Sequence, residues 1–466
     1  MKLEARLLDH AQTLRFEQLP TPAVAAALAF IADSVGVGLA GSRHARLAQV
    51  VDAATGWGRG EDARDWASGS RWPAPTAALL NAWQIHNQEF DCVHERAVVH
   101  PLATILPALV AHAERESHAG RSLSGAALIE AVVLAVDVAA TIGSAQIAPM
   151  RFFRPAMCGA LGAALGLAKL ARLPREGMAD ALGIAYSQLA GTMQAHVEGS
   201  PMLALQVGLA SRAAVTALDL ARAGFGGPRD VIEGPFGYFE LFDAPLAPRR
   251  EQVEREFDRL GKTWRIEQVS HKPFPTGRAA QGALDGLGTL MREHGFGAAD
   301  VARVELAAPP LILRLVGRPW RAAMDVNYAR LCLPYLAATC LLRGGVGLAD
   351  FERSALDDPL RRALAARVAS VPNGCTDPNA LAPQSLRVEL RDGRALDIDL
   401  PAVLGHPDRP LSAAAQRAKF DACCAHAGLG MVATEALAAA CAALPEETDV
   451  ARWVALMRSP VRHATP

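Results

Sequence analysis

Aromatic residues are scarce in this sequence of 466 residues, at 5% against 51% hydrophobic residues in total. The core must therefore be built mainly from alanine, leucine and valine, which suits closely packed helices better than a β-sandwich. An excess of charge of either sign is also absent. The 47 Lys and Arg residues face 48 Asp and Glu residues, which gives a formal net charge of -1. This balance argues against nucleic acid or an anionic membrane surface as a partner.

Cysteine motifs and a secretion signal are missing as well. The 8 cysteines include no pair at CxxC spacing, so neither a zinc site nor a cysteine-ligated iron–sulfur cluster is predicted. The first residues, MKLEARLLDHAQTL, are charged and lack the apolar stretch of a signal peptide. Polar and charged residues interrupt the Ala-rich runs of residues 102–222, which argues against a membrane span. We therefore predict a cytoplasmic protein with reduced thiols.

The densest group of ionisable residues lies in WQIHNQEFDCVHERAVVHP, at residues 83–101, between two apolar Ala-rich segments. Its acidic, histidine and cysteine residues are His86, Glu89, Asp91, Cys92, His94, Glu95 and His100. Side chains that exchange protons near neutral pH rarely crowd in this way without a chemical role. The alternative interpretation is a solvated loop between two helices.

The spacing of apolar residues indicates helices up to about residue 266 and again from residue 411. Between these parts, residues 301–313 read as a strand, and residues 386–400 alternate apolar and polar side chains around Asp392-Gly393, which indicates a hairpin. Helical segments are predicted around residues 328–343 and 356–369. The pattern predicts a mainly α protein with an all-helical domain of residues 1–266 and 401–466. A smaller α+β domain is predicted at residues 267–400.

Seven segments, in the same order along the chain, resemble the MmgE/PrpD family, which contains 2-methylcitrate dehydratase, cis-aconitate decarboxylase and iminodisuccinate epimerase. They are residues 30–42, 86–101, 152–170 and 225–237, HKPFPTGR at 271–278, LCLPY at 331–335, and GHPDRPLS at 405–412 with Lys419-Phe420. The resemblance implies that the smaller domain is a lid over the helical domain and that the site lies in the cleft between them. It also implies a homodimer and a reaction on a small carboxylate that uses neither a metal nor an organic cofactor.

The same resemblance assigns catalytic roles to five residues. Glu89 and Asp91 match the family's acidic pair, as a base or as a group that orients one. His100 matches the histidine of the family's His-Pro and is expected to act as acid, base or carboxylate contact. Lys272 matches the lysine of the lid motif, where a cation binds a carboxylate or donates a proton. Tyr335 matches a tyrosine that donates a proton or a hydrogen bond.

A second group of residues is expected to contact the substrate rather than transfer protons. These candidates are His94, Arg151, Arg154, His196, His271 and Arg278. His196, with Glu198, is also a candidate for a substitute acid/base pair. The alternative for each residue is a structural role, as a surface ion pair, a polar turn or a helix-starting side chain.

Two positions depart from the family pattern. Aligned on Gly159, Phe153 stands where relatives have an active-site histidine, and a phenyl ring cannot carry a proton. Aligned on Gly208, Leu203 stands where relatives have a lysine, so an apolar side chain replaces a cation. These changes argue against a substrate with three carboxylates. They favour a substrate with fewer negative charges, or one bound differently by Arg151, Arg154 or His196.

The leading hypothesis is therefore a cofactor-independent lyase that eliminates water from a small carboxylate. Such a reaction needs a base, an acid and groups that stabilise developing negative charge. One alternative is an isomerase or epimerase of a small dicarboxylate, because proton transfer alone needs fewer charged contacts; decarboxylation passes through a similar carbanion-like state. Another alternative, from a different class, is a catalytically silent binding protein of the same fold.

Overall fold

Helices occupy most of the chain up to Phe257 in this computed structural model, which describes residues 1–457. They are α1 (Leu3–Thr13), α2 (Thr21–Gly41), α3 (Leu47–Gly56), α4 (Ala74–His86), α5 (Pro101–His118), α6 (Gly125–Ser144), α7 (Arg154–Leu170), α8 (Arg175–Tyr186), α9 (Gln194–Glu198), α10 (Met202–Arg222), α11 (Tyr238–Phe242) and α12 (Arg250–Phe257). Short strands β1 (Ala63–Arg64) and β2 (Arg71–Trp72) pair with each other, and β3 (Val93–His94) lies between α4 and α5.

The next part of the chain alternates strands and helices before it returns to helices. Its elements are β4 (Val269–Ser270), α13 (Arg278–His294), β5 (Val301–Ala308), α14 (Pro310–Val316), α15 (Val326–Ala329), α16 (Leu333–Arg343), α17 (Arg353–Leu356), α18 (Pro359–Ala365), β6 (Val368–Pro372), β7 (Gln384–Leu390), β8 (Ala395–Leu400), α19 (Ala413–Ala427), α20 (Met431–Ala442) and α21 (Val450–Val454). The predicted class, mainly α with a smaller α+β part, is confirmed. Of the predicted helical range 401–466, residues 458–466 lie outside the described residues.

A mixed sheet with the strand order β6-β5-β7-β8 forms the β part of the predicted lid domain. β5 is parallel to β6 and antiparallel to β7, and β7 and β8 form the hairpin predicted around Asp392-Gly393. The strand predicted over residues 301–313 is too long, because β5 ends at Ala308. Pro309 and Pro310 follow, and a proline at the first helical position starts α14 instead of extending the strand.

Two helical predictions in the same region also need correction. The segment predicted around residues 328–343 is interrupted after Ala329, and Pro334 then lies in the first turn of α16, where its missing N–H has no helical partner to lose. The segment predicted around residues 356–369 ends at Ala365, and the chain continues into β6. The β-branched Val368 favours the extended conformation there.

Glycine residues allow α7 to pack closely between α5 and α6. A Cβ atom at Gly159 would lie 2.6 Å from the Thr104 hydroxyl oxygen on α5. At Gly162 it would lie 2.4 Å from the Ala135 carbonyl oxygen on α6. Only glycine fits at such distances, so these residues fix the separation of the helices. This packing holds the start of α5, and with it His100, in the centre of the helical part.

Three helices of the described residues, α2, α6 and α10, are long and apolar enough by length and composition to cross a membrane. In the structure, 67%, 83% and 50% of their most apolar windows are buried inside the protein. They pack against neighbouring helices: α2 against α4 and α19, α6 against α7, and α10 against α4 and α7. The predicted cytoplasmic location and homodimer stay predictions.

Two short strands join the acidic segment to the chain just before Lys272. β3 pairs with β4 in antiparallel register, with Val93 opposite Ser270. A few residues further on, Arg278 at the start of α13 forms an ion pair with Glu95 at 2.7 Å. The acidic segment of residues 83–101 and the segment of residues 269–278 are therefore held side by side, although they are far apart in the sequence.

Candidate active site

The ends of the segment between α4 and α5 determine its shape. α4 ends at His86, and α5 begins directly after His100, where Pro101 has the fixed φ that suits a first helical residue. Between these ends, Glu89 and Val98 have φ angles of 51° and 52°, which are unusual for residues with a Cβ atom, above all for a β-branched valine. Such strain persists only where surrounding contacts enforce it, and it is concentrated at functional sites.

Lys272 lies completely buried among the carboxylates of this segment. Its Nζ atom donates to the Glu89 carbonyl oxygen at 3.1 Å and to Glu89 Oε2 at 3.3 Å. Asp91 Oδ1 lies 3.5 Å from the same Nζ atom. A charged ammonium group can occupy a water-free position like this because two carboxylates surround it.

Asp91 connects two histidines through one carboxylate oxygen. Its Oδ2 atom lies 2.9 Å from His86 Nδ1 and 3.1 Å from His100 Nδ1, and the two imidazole rings are 4.8 Å apart. Because a carboxylate only accepts, both Nδ1 atoms carry the hydrogen. Each ring is therefore left with its Nε2 atom for chemistry. His86 Nε2 is buried without a hydrogen-bond partner, 3.8 Å from Glu89 Oε1.

The two histidines have opposite pKa shifts. Burial alone would lower the pKa of His86, but the carboxylates of Asp91 and Glu89 outweigh burial and raise the pKa above its ordinary value. For His100, burial lowers the pKa more than the Asp91 carboxylate raises it, and the positive charge of Lys272 lowers it further. A pair of titratable groups with pKa values pushed apart provides an acid and a base at the same pH.

Burial would raise the pKa values of both carboxyl groups, but the neighbouring positive charges reverse the direction. Lys272 and the two histidines lower the pKa of Glu89. His86, His100 and Lys272 hold the pKa of Asp91 well below its ordinary value. Both groups are therefore carboxylates at neutral pH, and together they balance the charge of Lys272 and of one imidazolium.

A cavity with an empty volume of about 520 Å³ opens above this cluster. Its polar lining comes from His86, Glu89, His100, His196 and Arg278. The remaining lining residues are Val93, Val98, Met150, Phe153, Pro155, Met193, Leu203, Gly277, Ala279, Leu315, Val316, Leu331 and Leu381. They come from both the helical part and the predicted lid domain. A mostly apolar cleft with a few convergent polar groups is typical of a site for a small molecule.

Two of the predicted substrate contacts line the cavity but already have protein partners. His196 Nδ1 lies 3.2 Å from Nη2 of Arg318, which can only donate, so His196 is neutral and carries its hydrogen on Nε2. Burial, followed by the nearby Arg318, lowers the pKa of His196 to about 3. Arg278 pairs with Glu95 and donates to the carbonyl oxygens of His271, Val403 and Leu404. Its guanidinium group therefore locks the segments around the cavity together.

Three other predicted site residues do not reach the cavity. The Tyr335 hydroxyl donates to the Asp350 carbonyl oxygen inside the lid domain, so its predicted role as a proton donor is corrected to a structural one. His94 faces Gln268 at 3.3 Å, and His271 stacks on Phe30 at 4.3 Å. Burial lowers the pKa of each of these histidines to about 4, so both are neutral at pH 7.

Arg151 and Arg154 also lie outside the cavity, on a separate small hollow. Arg151 is exposed to solvent. Arg154 is buried, and its Nη2 atom donates to the Ala148 carbonyl oxygen at 2.9 Å and to Asn379 at 3.1 Å. The predicted contacts of these arginines with a substrate in the cavity are therefore corrected. The intervening Phe153 faces the cavity instead.

Both departures from the family pattern, Phe153 and Leu203, line the cavity. The Phe153 ring lies 5.8 Å from the ring of His86, which was not among the predicted catalytic residues. The available signal for His86 was its position in the acidic segment, five residues before Asp91 and at the end of a helix. The structure thus places a buried imidazole beside the phenyl ring that replaces the expected one.

Among the described residues, His86, Asp91 and His100 offer ligand atoms within 4.8 Å of one another, which is close enough for a metal ion. The donor set does not suit a cation well, however. Both Nδ1 atoms face one oxygen of Asp91, and the Lys272 ammonium group lies 3.5 Å from the other. A cation would have to displace these hydrogen bonds and would be repelled by Lys272.

Sequence models of one protein family match most of the chain. A sequence model described as the MmgE/PrpD N-terminal domain matches residues 5–249, and one described as the MmgE/PrpD C-terminal domain matches residues 274–442. Lys272 lies between the two matches, just before the second one begins.

Several relatives are similar over most of their length. The cis-aconitate decarboxylase-like protein oryM of Aspergillus oryzae is 25% identical over 423 residues, which are 88% of this chain and 87% of that protein. The cis-aconitate decarboxylase of Homo sapiens is 26% identical over 415 residues, 84% of this chain and 81% of that protein. A cis-aconitate decarboxylase of Aspergillus terreus is 24% identical over 413 residues, 85% and 84% of the two chains.

Proposed function

Because the chain belongs to the MmgE/PrpD family, we propose that it is a lyase that eliminates water from a small carboxylate, with its own side chains as acid and base. One observation carries the proposal. Asp91 holds two histidines with oppositely shifted pKa values at a cavity built from both parts of the chain. An elimination needs such a pair, because one carbon loses a proton while the neighbouring carbon loses hydroxide.

His100 is the base in this proposal. With its hydrogen on Nδ1 and donated to Asp91, the ring presents a free Nε2 lone pair towards the cavity. It removes the proton from the carbon next to the substrate carboxylate, and the electron pair of that C–H bond forms the carbon–carbon double bond. Asp91 stabilises the imidazolium that results, because its negative charge lies 3.1 Å from His100 Nδ1.

His86 is the acid. Its raised pKa favours the protonated form, and its Nε2–H group is free of protein hydrogen bonds. As the carbon–oxygen bond of the substrate breaks, this proton joins the departing hydroxide, and water leaves. Lys272 does not contact the substrate in this scheme. It holds Glu89 and Asp91 in their ionised forms, which keeps the pKa values of the two histidines apart.

Decarboxylation is the second candidate, and the names of the relatives favour it. In that reaction the carbon–carbon bond to a carboxylate breaks, carbon dioxide leaves, and the carbanion takes a proton. It needs one protonated group close to the carbon, a role that His86 can fill. The two candidates therefore use the same cluster and differ in the bond that breaks.

Product analysis of small carboxylic acids incubated with the protein in deuterated buffer separates these reactions. An unsaturated acid formed with loss of water supports the proposal, and release of carbon dioxide supports decarboxylation. Deuterium incorporation without loss of either indicates an isomerase.

The variant His100→Gln should lose at least about 99% of the turnover. His94→Gln, a buried histidine in the same segment that does not line the cavity, is the matched control and should retain it. Turnover that is equal in the two variants contradicts the assignment.

The pH dependence of kcat/KM is expected to be bell-shaped. Activity rises with pH as His100, whose pKa is lowered, loses its proton, and it falls as His86, whose pKa is raised, loses its own. Since both rings share Asp91, the two apparent pKa values belong to the pair. Steady-state rates between pH 5 and 10 provide the measurement.

The variant His86→Gln should lower the rate by about 100-fold and abolish the alkaline limb of the profile. An unchanged alkaline limb in this variant argues against His86 as the acid.

A further inference from the structure

The cations around the cavity are already paired with protein groups. Lys272 is fully buried between Glu89 and Asp91, and Arg278 is engaged by Glu95 and three carbonyl oxygens. Neither presents a free charge to a ligand. With one imidazolium, the positive charges of the cluster only balance its two carboxylates, so each carboxylate of a substrate brings an uncompensated negative charge.

Another cation, Arg318, contacts His196 and does not line the cavity, and its Nη1 atom is buried without a hydrogen-bond partner. Its Nη2 atom donates to the His196 carbonyl oxygen at 2.7 Å and lies 3.2 Å from His196 Nδ1. The guanidinium group also lies over the Tyr328 ring, 4.9 Å from its centre. What His196 presents to the cavity is a neutral imidazole, which can donate one hydrogen bond but adds no charge.

Most of the cavity wall is apolar. Leu203 stands on the wall contributed by α10, where a lysine would have supplied a cation, and Phe153 stands where a second ring could have carried a proton. Leu315 and Val316 of α14, with Leu331, face them from the lid domain. A carboxylate pressed against these side chains would lose its hydration without a partner, which is strongly unfavourable. An alkyl group at the same place would be stabilised by leaving water.

The polar end of the cavity lies at the start of α13. Gly277, which precedes α13, and Arg278 and Ala279 of its first turn line the cavity, and the N-terminal end of a helix of this length carries partial positive charge. The unpartnered Nε2 atom of His86 lines the same cavity. Because the Nε2–H group of His86 is the proposed acid, the N-terminal end of α13 remains to hold a single anionic group beside it.

We propose that the substrate carries a single carboxylate at its reacting end and an uncharged, apolar arm that lies against Leu203, Phe153 and the wall from α14. This inference rests on the proposed function and narrows its substrate class. Under this inference, acids with two or three carboxylates are not the substrates of this chain.

Binding of three 3-hydroxy acids tests the substrate class. 3-Hydroxyhexanoate, malate and citrate each have a hydroxyl group on the carbon beside the reacting position, but they carry one, two and three carboxylates. Calorimetry with the wild-type protein should give a Kd for 3-hydroxyhexanoate at least about tenfold below that for citrate, the equivalent of about 1.4 kcal/mol. Malate should bind at an intermediate strength.

The variant Leu203→Lys places an ammonium group on the apolar wall and should shift this preference at least about tenfold towards malate and citrate. Leu205→Lys, on the same helix but outside the cavity lining, is the matched control and should leave the preference unchanged. The wild-type series is decisive even if a variant does not fold. Equal or tighter binding and turnover of citrate by the wild type overturns this inference while the lyase proposal survives. If none of the three acids binds or reacts, the lyase proposal fails and the inference fails with it.

Discussion

Replacing Asp91 by asparagine is expected to lower kcat by about 10³- to 10⁴-fold, the range found when a carboxylate that orients a catalytic histidine becomes an amide. The Oδ2 atom of Asp91 accepts hydrogen bonds from two imidazole rings and fixes the tautomer of each. An amide keeps one accepting oxygen but carries no charge, so it cannot stabilise an imidazolium, and its NH2 group in place of Oδ1 would face the Lys272 ammonium group. Single-turnover kinetics of the variant would measure the loss in the chemical step.

The matched control is Asp137→Asn. Asp137 is also a completely buried aspartate paired with a histidine, since its Oδ2 atom lies 3.0 Å from His10 Nε2, but this pair does not line the cavity. We expect the control to lower the melting temperature and to retain the kcat of the folded protein. If Asp137→Asn reduced kcat as much as Asp91→Asn does, the loss would reflect disturbed folding, and the catalytic role of Asp91 would have to be abandoned.

Replacing Lys272 by methionine is expected to lower both stability and activity. The change leaves the buried carboxylates of Glu89 and Asp91 without the charge that lies 3.3 Å and 3.5 Å from them. Removing one partner of a buried ion pair typically costs about 3 to 5 kcal/mol of unfolding free energy. Lys272 lowers the pKa of both histidines, so its removal would raise both values and shift His100, the proposed base, towards its protonated form. We expect kcat/KM to fall by about 10³-fold.

Chemical denaturation at two pH values tests the origin of this loss. In the wild type, Lys272 lowers the folded-state pKa values of both carboxyl groups, so its contribution to stability is present above their unfolded-state values, near pH 4, and declines as the pH falls through the folded-state values. In Lys272→Met the folded-state values are raised, so the destabilisation should be larger at pH 8 than at pH 5. Equal destabilisation at both pH values would argue against the electrostatic account.

Lys169→Met is the matched control for this prediction. Like Lys272, Lys169 contacts both a backbone carbonyl group and a glutamate. Its Nζ atom lies 2.6 Å from the Leu14 carbonyl oxygen and 3.3 Å from Glu130, but the residue does not line the cavity. The control should show a smaller loss of stability, because its surroundings are less buried, and unchanged turnover.

Much of the helical architecture could be predicted from local signals in the sequence. Pro101 marks the start of α5, Ser124 accepts a hydrogen bond from Ala127 N at the start of α6, and Gly393 completes the hairpin turn. These features depend on neighbouring residues only, so spacing and residue type are sufficient. The end of β5 at Ala308 was harder to predict, because the apolar residues continue past Pro309 and no change in their pattern marks the end of the strand.

The site could be predicted in part, and the errors have a common physical cause. Successive side chains in an extended chain point to opposite sides. In β3, Val93 lines the cavity and His94 faces away from it; just after β4, Lys272 reaches the carboxylates and His271 turns towards Phe30. Strands of two residues are too short to show this alternation in the sequence. Which neighbour faces the cavity is decided by the pairing of the strands.

The role of Tyr335 depended on a contact that no local pattern encodes. Its hydroxyl group reaches the Asp350 carbonyl oxygen, fifteen residues further along the chain, and this contact exists only because the short helices of the lid domain pack against one another. The position of His86 beside Phe153 likewise comes from the packing of α4 against its neighbours. Tertiary contacts of this kind decide whether a polar side chain serves the core or the cavity.

The pairing of β3 with β4 has a consequence for any movement of the predicted lid domain. Lys272 lies two residues beyond the end of β4 and is bonded to the Glu89 carbonyl oxygen, so it is held against the helical part although it falls within the predicted lid range of residues 267–400. If this domain moves as a lid, the point about which it turns must lie beyond Lys272. The ammonium group, the carboxylates and both imidazoles would then stay assembled, and the apolar wall from α14 would move relative to them.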